Sequence, residues 1–318
     1  MKSKAIVITC CVGILFVSAK SLPASLPYFT QFSEEEGFLV GGYPDADGWI
    51  VRPETTLVAT EHSVSAGQSV LLYQGSPPGV MRRGFNTGGH EVVFVDLFVR
   101  PAAGERVVDS ATVGFDTTEV AFVQRDGDAT VAVADLSTDR HREWLDVGYP
   151  IATDVLQRGE GWTRVTLRLD YGLELYDVYL DGTLAEHDLA FQPRGFGGER
   201  RLSVRGALGA ESWVDDLYVG PDNPLFEDSG RTGIPEEWLE RYGLDSDRAS
   251  RYAGVDEDGR LAITEYFEET RPGYAKDEQR ASVIERSNVR VPERRMRIFT
   301  QLEQPSEELQ EQLKAESE

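Results

Sequence analysis

Cysteine is almost missing from this sequence. The two present, Cys10 and Cys11, both lie in one apolar run, AIVITCCVGILFVSA, at 5–19. Lys2 and Lys4 precede that run, and Val17-Ser18-Ala19 closes it with small residues. A short positive segment, an apolar stretch and a small-residue site are the parts of a signal peptide, so 1–19 is expected to be removed and the mature chain to start near Lys20. The run is too short for a comfortable membrane span, and no later stretch is apolar enough, so no membrane insertion is expected after cleavage. Ile8-Thr9-Cys10 before Cys11 does not resemble a lipidation site. The expected destination is secreted, periplasmic or extracellular, with the cell surface included. A mature chain without cysteine has no disulfides, so its core, or a metal, must hold it together. About 300 residues remain, enough for one large β domain and a small appendage.

Positive charge is also scarce. Lys and Arg number 32 against 55 Asp and Glu, for a net charge of −23, or −25 once Lys2 and Lys4 are gone. Such a surface repels nucleic acid and anionic membranes and favours cations, which removes nucleic acid from the expected partners. The four histidines, His62, His90, His141 and His187, form no spaced pair. No Gly-x-Ser-x-Gly elbow and no phosphate loop occurs. The reading therefore leans away from an enzyme.

What fills the chain is short-period alternation. Val93, Val95, Leu97 and Val99 alternate; so do Val165, Leu167 and Leu169, against Arg164, Thr166, Arg168 and Asp170 on the opposite side. Val120 and Phe122 lead to Asp126-Gly127 and then Val131 and Val133, a predicted hairpin, and Tyr176, Val178 and Leu180 lead to Asp181-Gly182, another. Strands at Leu202 and at 213–219 complete the pattern. The expectation is a mainly β chain, an antiparallel sandwich over 29–221. After Asn223-Pro224 the character changes. Pro235 to Tyr242, with acids in the first turn and Gly243 beyond, predicts a short helix, and a second is predicted over 263–269 before Arg271-Pro272-Gly273. The 275–318 tail is charged and glutamine-rich, read as largely disordered or helical, with 306–315 able to form a solvated helix.

Gly161-Trp162-Thr163-Arg164-Val165-Thr166-Leu167, followed by Tyr179-Leu180-Asp181-Gly182 and closed by Trp213-Val214-Asp215-Asp216-Leu217-Tyr218-Val219-Gly220, resembles the concanavalin-like (laminin-G-like) jelly roll. Phe32, Gly37-Phe38, Gly48-Trp49 and 66–72 resemble its opening strands. The resemblance implies a jelly-roll β-sandwich and a family holding lectins, adhesion modules, glycoside hydrolases and lyases, among which fold alone does not choose. The Glu-x-Asp-x-x-Glu of its laminarinase-type members does not occur here. Sugar binding on such a fold uses exposed aromatic faces, for which Trp144, Tyr149 and Trp49 are the candidates, while Trp162 and Trp213 read as buried. Glu36, in the Glu34-Glu35-Glu36 run of the first strand region, and Asp215, in the last strand, are a candidate pair of calcium ligands, or else a solvated acidic edge.

The C-terminal motif is sharper. Gly254-Val255-Asp256-Glu257-Asp258-Gly259-Arg260-Leu261-Ala262-Ile263-Thr264-Glu265 fits an EF-hand loop. Asp256 and Asp258 take the third and fifth places, Arg260 offers a carbonyl at the seventh, and Glu265 is the bidentate acid at the twelfth. Gly254 stands where the first acid belongs. Asp228-Ser229-Gly230-Arg231-Thr232-Gly233-Ile234-Pro235 resembles the first half of a thrombospondin type 3-like calcium repeat of secreted bacterial proteins, with Gly230 and Thr232 replacing acids. The resemblance implies a module over 226–274 with metal positions at Asp228 and Thr232, and leaves a weak structural Ca²⁺ site or a relic open. Three functions compete: a non-catalytic binding module for glycan or surface polymer with structural calcium, a polysaccharide-degrading enzyme on the same fold, and a structural or adhesive surface protein.

Overall fold

The computed structural model describes residues 23–44, 46–65, 67–73, 75–125, 128–138, 141–147, 161–193, 199–254 and 260–270. The expected signal peptide, Tyr149, Asp256, Asp258 and the 275–318 tail lie outside them. Two sheets stack face to face. One runs β1 (Ala24–Ser25), β6 (Val80–Asn86), β15 (Glu199–Arg205), β8 (Thr112–Phe115), β9 (Val120–Arg125), β10 (Asp128–Thr138) and β11 (His141–Asp146), with β3 (Ile50–Val51) beside β6. The other runs β14 (Thr183–Ala190), β13 (Leu175–Leu180), β12 (Thr163–Asp170), β7 (Val92–Arg100), β16 (Ser212–Gly220), β5 (Ser69–Leu72) and β4 (Thr56–Ala59), with β2 (Tyr28–Thr30) beside β16. Pairing is antiparallel except between β1 and β6. The chain is mainly β with a small C-terminal pair of helices, as its patterning predicts.

Period-2 alternation fixes which side chains enter the sandwich. Val93, Val95, Leu97 and Val99 of β7 meet Val165, Leu167 and Leu169 of β12 and Tyr176, Val178 and Leu180 of β13 in one core with Phe85, Phe115, Phe122, Val131 and Val133. The β13–β14 hairpin turns on Asp181 and Gly182, at φ +50° and +81°, the doubly left-handed geometry that suits the twist of two antiparallel strands. The β9–β10 pair closes in register at Arg125 and Asp128.

Three expectations change. Trp162 is not in the main core. It precedes β12 on the even-numbered side, so its ring joins Ala59, Leu71 and Trp213 in a small cluster on the outer face. Glu34–Glu36 is a 3-10 turn rather than strand, because Glu36 reaches back to take the Ser33 N–H at 2.9 Å and the Gln31 N–H at 3.0 Å. The third concerns β12. Alternation predicts one wet face, yet Thr166, Arg168 and Asp170 are as buried as the leucines between them. Helices α1 (Glu236–Arg241) and α2 (Ala262–Thr270) fold back over the outer face of β12–β14. Ile234, Trp238, Leu239, Ile263, Tyr266 and Phe267 bury Tyr179 and Leu184 there.

Leu167→Ala is expected to cost about 2–5 kcal/mol, the range for truncating a fully buried leucine in a core that collapses only partly. Urea unfolding of the two proteins measures it. A cost below about 1 kcal/mol would mean that β12 faces the other way.

Candidate binding face

Strand register lays side chains across the outer face of the second sheet in rows. Phe29 of β2 stands opposite Tyr218 of β16, Tyr218 opposite Asp96 of β7, Asp96 opposite Thr166 of β12, and Thr166 opposite Tyr179 of β13. Directly opposed residues have Cβ atoms about 4.5–5.5 Å apart, so each row is a continuous strip. The next row is Asp215, Phe98 and Arg164. At the Tyr179 end the helices cover the strip; at the other end Phe29 is 56% exposed and Tyr218 half-buried.

Between the two ends the polar groups are fixed. Arg164 grips Asp96 with two nitrogens, Nε at 3.0 Å from Oδ1 and Nη2 at 2.8 Å from Oδ2, while Thr166 donates to the same carboxylate at 2.5 Å. The Arg164 guanidinium also lies 5.6 Å from the Phe98 ring, a cation–π distance. Its Nη2 donates to the Pro224 carbonyl, and Asp222 donates its N–H to the Tyr218 hydroxyl, so the segment leaving β16 forms one wall of the strip.

Under the helices lies a buried charge network. Arg251, fully buried in the 3-10 turn Ser250–Tyr252, donates to Asp177 at 2.5 Å and Asp188 at 3.0 Å, and to the Thr232 carbonyl. Arg168 reaches Asp177 and Asp170, each at 3.3 Å, and the Arg231 carbonyl at 2.7 Å. Arg248 joins Asp170 to Glu91. Arg168, Arg251, Asp170, Asp177 and Asp188 have almost no access to water, and charges so placed persist only when paired, as these are. The network fastens the helical segment to the sheet.

Of the aromatic candidates, Trp49 is 4% exposed, tilted against Phe32 at 5.9 Å and bonded through Nε1 to the Tyr28 hydroxyl at 3.3 Å, so it offers no face to a ligand. Trp144 is half-buried on β11, over Ala121, Val123 and Ala132 of β9 and β10 in the first sheet. Tyr149 lies outside the described residues. The strip residues Phe29 and Tyr218 escaped sequence reasoning, Phe29 because its strand is only three residues long.

Of the calcium candidates, Glu36 is occupied by Thr30, Gln31 and Ser33. Asp215 accepts the Val64 and Asp216 N–H groups at 2.7 and 2.9 Å. Asp228 takes the N–H groups of Thr232 and Gly233, the Thr232 hydroxyl and the Asn223 amide, so its oxygens organise the loop in the manner of a turn cap. Asp256 and Asp258 lie outside the described residues. Arg260 pairs with Glu268, and Glu265 stands in the first turn of α2. A bridge between Gly254 and Leu261, with the Ala262 N–H on the Ala253 carbonyl at 2.9 Å, closes the base of that loop. Among the described residues no group of three or more His, Cys, Asp or Glu is placed to hold a metal ion, and no helix is long and apolar enough to cross a membrane.

No protein-family model matches the sequence, and no curated protein matches it. Solved structures similar to parts of the chain include the binding domain of botulinum neurotoxin DC in complex with rat synaptotagmin II, at 11% identity over 54% of this chain and 43% of that chain, TM-score 0.39. The botulinum neurotoxin serotype D binding domain is similar at 12% identity, over 57% of this chain and 47% of that one, TM-score 0.38. The chain thus spans less than half the length of these structures.

Two outcomes follow from the charges. Arg251→Met should destabilise the chain by about 3–5 kcal/mol, because Asp177 and Asp188 are left buried without their cation; chemical denaturation measures it, and a loss under about 1 kcal/mol would show the network to be dispensable. Burial pushes Asp215 up from 3.8 to about 6, against the Val64 and Asp216 N–H groups that pull it down. A carboxyl raised in the folded state holds its proton there after the unfolded chain has lost it. Its contribution is therefore complete below the unfolded value and lost as pH rises through about 6. Stability measured across that window should fall with pH less steeply in Asp215→Asn; identical slopes would place the titration elsewhere.

Proposed function

We propose that this chain is an exported, non-catalytic binding module that takes a glycan or surface polymer on the outer face of its second sheet. The observation that carries the reading is Phe29, an aromatic ring 56% exposed on a strand, directly opposite Tyr218 and near Arg164, whose side chain is held by Asp96 and stays partly open to water. A pyranose ring presents apolar C–H faces and equatorial hydroxyls. An aromatic face with positioned donors and acceptors beside it meets both needs. Being on strands rather than loops, the strip is preorganised, which lowers the ordering cost of binding. The carboxylates of the strip are committed to arginine, threonine or backbone donors, which supports binding over hydrolysis.

Calcium enters the same proposal as a structural ion at the loop from Gly254 to Glu265. With three carboxylates, Asp256, Asp258 and Glu265, and the Arg260 carbonyl, its affinity belongs in the weak extracellular range of roughly 10⁻⁴–10⁻³ M. Calcium would raise the melting temperature by mass action, and Glu265→Gln would remove the shift.

A glycan array probed with the mature chain, with and without millimolar calcium, tests the reading. Phe29→Ala should weaken every positive by about tenfold or more, about 1.4 kcal/mol. Binding indifferent to Phe29→Ala would move the site elsewhere, and release of shortened polysaccharide would replace the module with an enzyme.

A further inference from the structure

Where the chain leaves β16 it folds into an open cleft of about 550 Å³. The cleft shares its wall with the aromatic strip, since Asp222 bonds to the Tyr218 hydroxyl and Pro224 to Arg164. Leu225 and Phe226 line it; both pack against the cluster under the helices, and the Phe226 ring meets Tyr179 edge-on at 6.1 Å, so this side of the cleft is apolar and backed by the core. Its remaining lining is acidic. The Asp222 side chain is 81% exposed and its nearest cation, Arg231, stands at 4.0 Å, beyond a good ion pair. Glu227 is exposed and has no side-chain partner among the described residues. Glu236 accepts the Ser229 N–H at 2.6 Å, and the Ser229 side chain together with that N–H holds its carboxyl below the usual range. Asp228 is spent on its own loop. One guanidinium thus faces several carboxylates, in a chain already at −23. A cleft with an apolar side, an aromatic strip at its edge and uncompensated carboxylates suits a ligand that is part hydrocarbon and carries a positive charge.

We infer that the cleft takes the ammonium group of an amino sugar, so that the glycan held on the strip is one with free amines. The inference rests on the strip being a glycan face. The ring of one sugar stacks on Phe29 and Tyr218, and the amine of a neighbouring sugar reaches Asp222 and Glu227. A uronic-acid or sulfated polymer would bring its charge against the same carboxylates and is disfavoured.

The test is calorimetry on the mature chain with a β-1,4-linked glucosamine hexamer and its fully N-acetylated counterpart, at a pH where the amine is protonated. The comparison adds Phe29→Ala, the double variant Asp222→Asn/Glu227→Gln, whose two side chains are exposed, and a lysine hexapeptide. The free-amine hexamer should bind tenfold or more tighter than the acetylated one. The double variant should erase that preference, and Phe29→Ala should weaken both sugars. Equal affinity for the two hexamers, or a preference that survives the double variant, overturns the amine inference and leaves the strip standing. Tight binding of the lysine peptide, unaffected by Phe29→Ala, overturns it in favour of a basic protein partner. Failure of both hexamers to bind, while the array finds other glycans that depend on Phe29, sinks the ligand class alone; failure of every glycan sinks the strip with it.

Discussion

Arg251 sits fully buried between a β-sheet and the chain that covers it, and it carries a charge that the interior tolerates only because Asp177 and Asp188 answer it. Two further arginines, Arg168 and Arg248, extend the answer to Asp170 and Glu91. The pairs do not by themselves make the protein more stable than a well-packed apolar interface would. They make it specific. Each guanidinium also binds a backbone carbonyl or a second acid, so sliding the helical segment along β12–β14 would strip a buried charge of its partner. Apolar packing of Trp238, Ile263, Tyr266 and Phe267 supplies the area, and the arginines supply the register.

That fastening decides which part of the second sheet's outer face stays open to solvent. The β12–β14 part of that face would be open without it. With it, the β12–β14 end is filled by the protein's own side chains, and the exposed remainder is a narrow strip with Phe29 at one end and the 222–224 wall beside it. The part of the chain that resembles a calcium repeat therefore acts first as a lid. Asp228, placed where a metal ligand is expected, already has donors from Thr232, Gly233 and Asn223. Gly230 and Thr232 bring no charge to this loop, and backbone and hydroxyl donors hold the Asp228 carboxylate instead.

Much of the sandwich was legible from alternation alone. Val93 to Val99 and Val165 to Leu169 point inward as their period requires, and Asp181-Gly182 turns as that dipeptide favours. Both helices appear within a residue or two of their capping signals. The outer face was not legible, because the same pattern of Arg164, Thr166, Arg168 and Asp170 serves a wet surface or an ionic interface. Only the return of the chain from Asn223 tells them apart. The aromatic candidates failed for a related reason. Tryptophan is large enough to be core or platform, and Trp49 is core, whereas Phe29, in a three-residue strand, has too short a window for periodicity to mark it.

The central claim is that the helical segment and the second sheet are one cooperative structure, held in a single register by the buried arginines. Native-state hydrogen exchange under increasing urea tests it most directly, because it gives the opening free energy of each amide. The account predicts that amides of α1 and α2 merge with those of β12 and β13 into one unit that opens only with global unfolding, and that Arg251→Met splits the helices away to a lower free energy. Helices that already open several kcal/mol below the sheet in the parent chain would contradict it.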